Sequence, residues 1–395
     1  MKQNRVIFLI FILLMLLTTG CWDRKELNDR AIIIAWGFDL NKDGTYRGTA
    51  QFALPSKMGS GKSASQGNKA FVTVSGTGKN LYEAARDMQL KVSRTWFSGH
   101  RRVILIGEEL ARHGLSTILD QLSRDPIVRL RADMFVLKGG SVQDFLELPY
   151  PLERLSANAL VKMHEAAGLN PDLTLRNFLM AASSEESCPI LPAVEKTDSP
   201  SKEGSDKTAP EMKLRGFAIF DKENRLVTYL PMKESFIRQW IVGKLNSNVF
   251  TVNIPGENGN ILVELDHLKR NIKTSQRGNK VSFTVTLGGK GTIRENNTRL
   301  DLRESKNVIL VQQELNRQTG KFVQKVIQEA QALGTDIFGF GEAFHRQHPY
   351  AWKGIKKEWA NKFAEAEVIA VLHLQVWEEG KLGPSGILKE NEMKR

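Results

Sequence analysis

Residues 308–333, VILVQQELNRQTGKFVQKVIQEAQAL, form the longest periodic segment in the chain. Their apolar side chains recur at steps of three, four or seven, at Val308, Val311, Leu315, Phe322, Val326, Ala330 and Leu333. This spacing places them on one face and predicts an amphipathic helix of roughly six to seven turns. Gly334 follows directly, in the position where a glycine commonly ends a helix.

The sequence on both sides of this segment has strand patterns, which predict a sheet for the helix to pack against. Residues 261–272 and 281–287 are strand-like, and the polar stretch 275–279 between them predicts an antiparallel connection. A closing strand is predicted at 368–377, and a second helix at 350–363, whose apolar face contains Trp352, Ile355, Trp359 and Phe363. The expected fold class is α+β, multi-domain, with mixed sheets packed against long helices.

Short strand and helix patterns alternate through the N-terminal half. A helix is predicted at 80–92, and strands at 31–38, 47–54, 71–75, 103–106 and 129–137. Past Gly139 and Gly140 the pattern becomes helical. We therefore predict an N-terminal α+β region over residues 21–196, with a helical subdomain at 141–196.

Polar composition indicates a boundary in the middle of the chain. Residues 197–211, TDSPSKEGSDKTAPE, contain two prolines and no aliphatic residue larger than alanine. Such a segment is typical of a flexible linker, so residues 197–212 are predicted to let two halves of the molecule reorient. A C-terminal α+β domain is expected at 213–385, followed by a polar tail at 386–395.

Residues 1–20 are predicted to be a lipoprotein signal peptide. The apolar run from Val6 to Leu17 has twelve residues, which at 1.5 Å per residue span about 18 Å, less than the roughly 30 Å of a bilayer core. Cleavage is expected between Gly20 and Cys21, leaving a diacylglyceryl group with palmitate-type chains on the Cys21 thiol. Thr18 stands where such sites usually have Leu, so the alternative is an ordinary secretory signal or an uncleaved anchor.

The charge of the chain fits an anionic surface. With 56 Lys and Arg against 44 Asp and Glu, the formal net charge is +12, which suits a bilayer as well as nucleic acid. Because the N-terminus predicts export, we expect a lipid bilayer, reached through Cys21, and no nucleic-acid partner.

The sequence contains no catalytic constellation. There is no Gly-x-Ser-x-Gly elbow, and His164-Glu165 lacks the second histidine of a zinc-protease helix. Glu342, His345 and His348 have a generic spacing that Pro349 interrupts, so neither a metal nor another cofactor is expected. We predict that the protein is not an enzyme.

Two segments more than 300 residues apart carry a family resemblance. The first, CWDRKELND at 21–29, contains Trp22, Asp23, Glu26, Leu27 and Asn28. The second, DIFGFGE at 336–342, contains Asp336, Gly339, Gly341 and Glu342, and is followed by Pro349, Trp352, Trp359 and Phe363. Together they resemble the spore germination lipoproteins of the Ger(x)C type, the C subunits of nutrient germinant receptors.

The resemblance implies a lipid-anchored α+β protein on the outer face of the inner spore membrane. It would act with membrane-embedded A and B subunits in the response to amino acids or sugars that triggers germination. The first segment would either pin the membrane-proximal domain or contact a partner. For residues 336–342 we expect a tight turn that packs aromatic rings, with positive φ at Gly339 and Gly341.

A competing hypothesis is an extracytoplasmic solute-binding lipoprotein that captures the nutrient itself. Titration of residues 22–395 with amino acids and sugars separates the two hypotheses, because only the solute-binding protein would bind them directly.

Overall fold

The structure, a computed structural model, describes residue 4 and residues 29–58, 69–125, 127–169, 174–199 and 209–377. Within these ranges the chain forms one sheet of nine strands and one of four. The signal segment, Cys21 and the first family segment up to residue 28 lie outside the described residues.

The large sheet is built mainly from the N-terminal half. Its strands are β1 (Arg30–Leu40), β2 (Tyr46–Ala53), β3 (Phe71–Gly78), β4 (Thr95–Phe97), β5 (Val103–Gly107), β6 (Asp133–Lys138), β7 (Ile190–Ser199), β8 (Ala209–Phe220) and β9 (Leu226–Leu230). They lie in the order β3-β2-β1-β5-β6-β7-β8-β9, and β4 pairs with the first residues of β1. The pairs β1-β4, β1-β5, β5-β6 and β6-β7 are parallel, and the other pairs are antiparallel.

Helices cover both faces of the central strands. They are α1 (Pro55–Met58), α2 (Leu81–Gln89), α3 (Glu108–His113), α4 (Ser116–Arg124), α5 (Val142–Leu146), α6 (Ser156–Ala166) and α7 (Leu175–Ala182). All residues of β5 are buried. Ile104 and Ile106 pack with α3, α4 and α7, whereas Val103 and Leu105 pack with α5 and α6. Burial on both faces explains why β5 is a continuous apolar run.

The four-stranded sheet has the order β10 (Asn248–Asn253), β11 (Asn260–Arg277), β12 (Lys280–Asn296) and β13 (Glu367–Trp377). The helices of this half are α8 (Met232–Ile241), α9 (Ser305–Ala332), α10 (Phe340–Gln347), α11 (Pro349–Ile355) and α12 (Trp359–Glu365). Its core continues onto the large sheet through Phe217, Ile219 and Leu230. The α+β class is therefore confirmed.

The long C-terminal helix and the hairpin before it match their predictions. Helix α9 buries Val311, Leu315 and Val326 against the sheet, and Gly334 follows it with φ of +64°. Strands β11 and β12 pair antiparallel around a turn at residues 278–279. The closing strand β13 pairs parallel to β12.

The predicted single helix at 350–363 is wrong in one respect. The segment is broken into α11 and α12 by a 3₁₀ turn at Lys356–Glu358. Ile355 and Trp359 nevertheless face the same core, because a tighter turn of three residues between them still returns the chain to one side.

The predicted linker at 197–212 is also wrong in its described parts. Thr197 pairs with Glu211 and Asp198 with Pro210 in an antiparallel ladder between β7 and β8. The side chains here are polar because these strand ends are exposed or half-exposed to water, and a solvated strand has the same composition as a linker. The large sheet thus continues across the predicted boundary, which opposes the predicted reorientation.

The helical subdomain predicted at 141–196 does not stand apart. Helices α5 and α6 pack on the large sheet, and the end of the segment is β7, a strand of that sheet. The helical pattern correctly predicted that helices form here. Each helix buries its apolar face against strands rather than against another helix.

Candidate functional site

The second family segment forms a buried turn organised by one carboxylate. Asp336, 1% exposed, accepts hydrogen bonds at Oδ1 from the backbone N–H groups of Phe338, Gly339 and Phe340 at 3.0–3.2 Å. Its Oδ2 accepts from the N–H of Gly341 at 2.7 Å and from the indole N–H of Trp359 at 3.1 Å. Residues that lie 23 positions apart in the sequence are thereby fixed together.

The five donors fit an ionised carboxylate, because both of its oxygens can only accept. Burial raises the pKa of the Asp336 carboxyl, while the hydrogen bonds from Gly341 and Phe340 lower it. A cation lies nearby: Arg238 donates from Nε to the carbonyl of Ile337 at 2.8 Å. Burial lowers the pKa of Arg238 to about 10, and the charge of Asp336 opposes that effect.

The two glycines of the turn are required for different reasons. Gly339 has φ of +76°, as predicted, and precedes α10 in a left-handed conformation that side chains disfavour. Gly341 lies inside α10 and lacks the positive φ predicted for it. A Cβ there would stand 2.2 Å from the carbonyl oxygen of Glu186 and 2.8 Å from Nε1 of Trp359, so this glycine permits a close approach.

The predicted aromatic face is core. Trp352, Trp359 and Phe363 are 3% exposed or less. Trp352 and Trp359 meet edge-on with centroids 5.1 Å apart, and Phe340 lies 4.9 Å from Phe283 of β12. These rings attach α10, α11 and α12 to the small sheet.

The turn also holds a loop of the N-terminal half, residues 183–189, which we call the junction loop. The N–H of Cys188 donates to the Asp336 carbonyl at 2.7 Å. Glu186 pairs with His345, and Glu185 pairs with Lys356. The junction loop leads from α7 into β7, so the segment at 336–342 connects the two halves of the chain.

The other predicted residues have no chemical role at this junction. Glu342 is exposed in the first turn of α10. Cys188 is a buried free thiol whose pKa is raised by burial to about 11, which makes it unreactive. In the described part of the chain, no three His, Cys, Asp or Glu side chains lie where they could hold a metal ion. Sequence reasoning missed Glu186 and Arg238, whose partners are distant in the sequence.

A cavity of about 450 Å³ lies between α8, β10 and α9. Its lining contains Lys233, amides and the aromatic rings Phe236, Phe250 and Phe322, but no carboxylate. A free amino acid presents both an ammonium and a carboxylate group, and this cavity offers a charged partner only for the carboxylate.

The described residues thus define a two-sheet α+β protein whose recognisable segment is a structural junction. No helix among them is long and apolar enough to cross a bilayer. Residues 23–196 match the family model "Spore germination protein N-terminal domain", and residues 215–378 match "Spore germination B3/ GerAC like, C-terminal". The chain belongs to this GerAC-like family of spore germination proteins, and the two models describe no enzyme.

Relatives extend over nearly the whole chain. It is 29% identical to the putative spore germination protein YfkR of Bacillus subtilis, covering 97% of this chain and 98% of that one. It is 24% identical to the spore germination protein KC of the same organism, covering 92% of each chain. The crystal structure of the GerBC protein shares the fold, with a TM-score of 0.57, 20% identity, and coverage of 87% of this chain and 97% of that chain.

Proposed function

We propose that this chain is the lipid-anchored C subunit of a spore nutrient germinant receptor. Cys21 carries the lipid on the outer face of the inner spore membrane, and membrane-embedded A and B subunits are the partners. The protein is needed for the response to amino acids or sugars that triggers germination. One observation carries the proposal: both family models match in order, and the relatives cover the chain almost from end to end.

The sequence limits how far the folded part could lie from such an anchor. Asp29, the start of the continuously described chain, lies eight residue steps beyond Cys21. Even fully extended, they span at most about 29 Å. A lipid on Cys21 would therefore keep the beginning of β1 close to the bilayer surface, so the large sheet would be the membrane-proximal part.

The linings of these two cavities in the described chain contain no carboxylate for the ammonium group of an amino acid, which supports a scaffold over a protein that captures amino acids in either of them. Under the proposal, the C subunit contributes a folded surface beside the membrane while nutrient recognition involves its partners. The segment Trp22–Asn28 would connect lipid and fold and is available to contact a partner subunit.

The test is germination of spores that carry Cys21→Ala, scored nutrient by nutrient, with the protein followed in the inner-membrane fraction. Cys188→Ala is the matched control, because it removes the chain's only other cysteine and leaves the lipid site intact. We expect Cys21→Ala to abolish both membrane retention and the response to one class of nutrient. Loss of the protein from the membrane with every germination response unchanged would contradict the proposal.

A further inference from the structure

A second cavity, of about 380 Å³, lies near the beginning of β1. Its apolar lining comes from the first two strands, α1 and the residue before α6: Ile32, Ile34, Ala53, Pro55 and Leu155. Its polar lining consists of His100, Arg102, Arg129 and Asn158. We call it the basic cavity. It combines hydrocarbon surface with positive charge and has no carboxylate in its lining.

The two arginines of the basic cavity have no side-chain hydrogen bond or ion pair in the described chain. Arg102 and Arg129 are exposed, and their guanidinium groups form no hydrogen bond or ion pair with any described residue. The side-chain oxygen of Asn158 is buried without a hydrogen-bond partner. Asp133, at the start of β6, is the carboxylate whose charge interacts with Arg102, and it does not line the cavity.

Backbone pairing holds both arginines in place. The N–H of Arg102 donates to the carbonyl of Ile34 at 2.8 Å, and its carbonyl accepts from Asp133 at 2.8 Å. The carbonyl of Arg129 accepts from the N–H of Ala132 at 3.0 Å, closing a turn before β6. The two cationic side chains therefore extend from fixed points, which reduces the entropy lost when an anion is bound.

Large apolar side chains flank the same place. Ile127 is 61% exposed and Leu130 is 45% exposed, on either side of Arg129. An exposed isoleucine and leucine alternating with arginine is the composition of surfaces that lie at the boundary of headgroups and acyl chains. The binding of a soluble anion would not be strengthened by these two apolar side chains.

The basic cavity lies close in the chain to the proposed lipid site at Cys21. Ile32 and Ile34 are three and five residues beyond Asp29, about 10 and 17 Å along an extended strand. The undescribed stretch from Cys21 to Asp29 adds at most about 29 Å. The cavity is therefore within reach of any bilayer to which Cys21 is attached.

We infer that the basic cavity binds the headgroup of an anionic phospholipid in the membrane surface. Arg102 and Arg129 contact the phosphate, and the apolar lining receives the adjoining carbons. Ile127 and Leu130 enter the headgroup boundary beside it. A zwitterionic amino acid does not fit, because its ammonium group would find two arginines and no carboxylate in the lining. The proposed anchor at Cys21 is used here only to orient the molecule.

The test uses the mature chain starting at Trp22, which retains every residue from 29 to 377 and carries no lipid. Its partition onto phosphatidylglycerol vesicles is compared with partition onto phosphatidylcholine vesicles by sedimentation. We expect binding to the anionic vesicles alone. Replacing Arg102 and Arg129 with alanine should weaken that binding about 30-fold, from the contribution of two arginines near an anionic surface.

Arg277→Ala combined with Lys280→Ala is the matched control. It removes the same charge from the exposed tip of the β11-β12 hairpin on the other sheet, and we expect less than a twofold change. An equal loss of vesicle binding in both double variants would mean that binding depends only on net charge, and it would overturn the inference. Equal binding to both kinds of vesicle would also overturn it. Because the chain tested has no lipid, failure here leaves the Cys21 proposal standing, and failure in spores leaves this one standing.

Discussion

The junction around Asp336 and the basic cavity around Arg102 differ in whether their charged groups are hydrogen-bonded within the protein. Asp336 is buried and receives five hydrogen bonds. Arg102 and Arg129 are exposed, and their guanidinium groups form no hydrogen bond or ion pair with a carboxylate of the described chain. A buried charge whose hydrogen bonds are all made within the protein contributes to the stability of the fold. A group of charges that the fold leaves unpaired, beside exposed apolar residues, is available to a partner.

The largest effect is expected for Asp336→Ala. The substitution leaves four backbone N–H groups and the Trp359 indole without their acceptor, in a site closed to water. Unpaired buried donors are costly, so we expect a loss of about 4 kcal/mol in the free energy of unfolding, measured by urea denaturation. The exposed neighbour Glu342→Ala is the control, with no significant loss expected. Equal stability of the two variants would show that the junction is not organised by Asp336.

Gly341→Ala is expected to rank second. Its new methyl group would overlap the Glu186 carbonyl, which is backbone and cannot turn aside. We expect a loss of about 3 kcal/mol, measured in the same way. Gly354→Ala is the matched helical control, since a Cβ there meets no atom within 4 Å, and it should stabilise the protein by up to about 1 kcal/mol. A tolerated Gly341→Ala would mean that the junction loop is not held tightly.

Gly339→Ala should have a smaller effect. The positive φ at this position costs an alanine about 1–2 kcal/mol. The added Cβ would lie 3.6 Å from Oε2 of Glu342, the nearest atom outside the neighbouring residues. No backbone therefore has to move. Gly339→Asn should recover part of the loss, because asparagine tolerates this conformation better than alanine does. Equal values for the two variants would indicate that φ does not determine the cost.

Replacement of Arg102 and Arg129 by alanine should have the smallest effect on stability. Neither guanidinium has a hydrogen bond or ion pair to lose in the described chain, and Arg102 meets Asp133 only through its charge, so the urea midpoint of the double variant should fall only slightly, although vesicle binding falls. A clear drop in the midpoint would show that these arginines support the fold, and the contrast with the junction would disappear.

Local patterns predicted the elements whose signal is periodic. The spacing from Val308 to Leu333 identified α9, and alternation with a polar turn identified the β11-β12 hairpin. Composition misled at residues 197–199 and 209–212, because polar side chains indicate exposure to water and these ends of β7 and β8 are strands with mainly exposed side chains. Periodicity also could not detect the 3₁₀ turn before Trp359, since the residues on either side remain on one face.

The sites were less predictable than the elements. The glycine-rich turn after a helix predicted positive φ at both Gly339 and Gly341, which is correct for Gly339 and wrong for Gly341. The requirement for glycine at Gly341 comes from Glu186, 155 positions earlier, and leaves no local signal. The basic cavity gathers residues from β1, β2, α1, α6 and the loops between elements, and its first and last lining residues, Ile32 and Asn158, are 126 positions apart. Nothing in the sequence distinguishes its arginines, and only the fold shows that no carboxylate lines the cavity with them.

The contrast between the two regions can be measured in one experiment. Amide hydrogen exchange of the mature chain would be followed with and without phosphatidylglycerol vesicles. We predict that the vesicles slow exchange around His100, Arg102 and residues 127–132, and leave the turn at 336–342 and the junction loop unchanged. Protection at the junction, or no protection near the basic cavity, would contradict the assignment of one region to the fold and the other to the membrane.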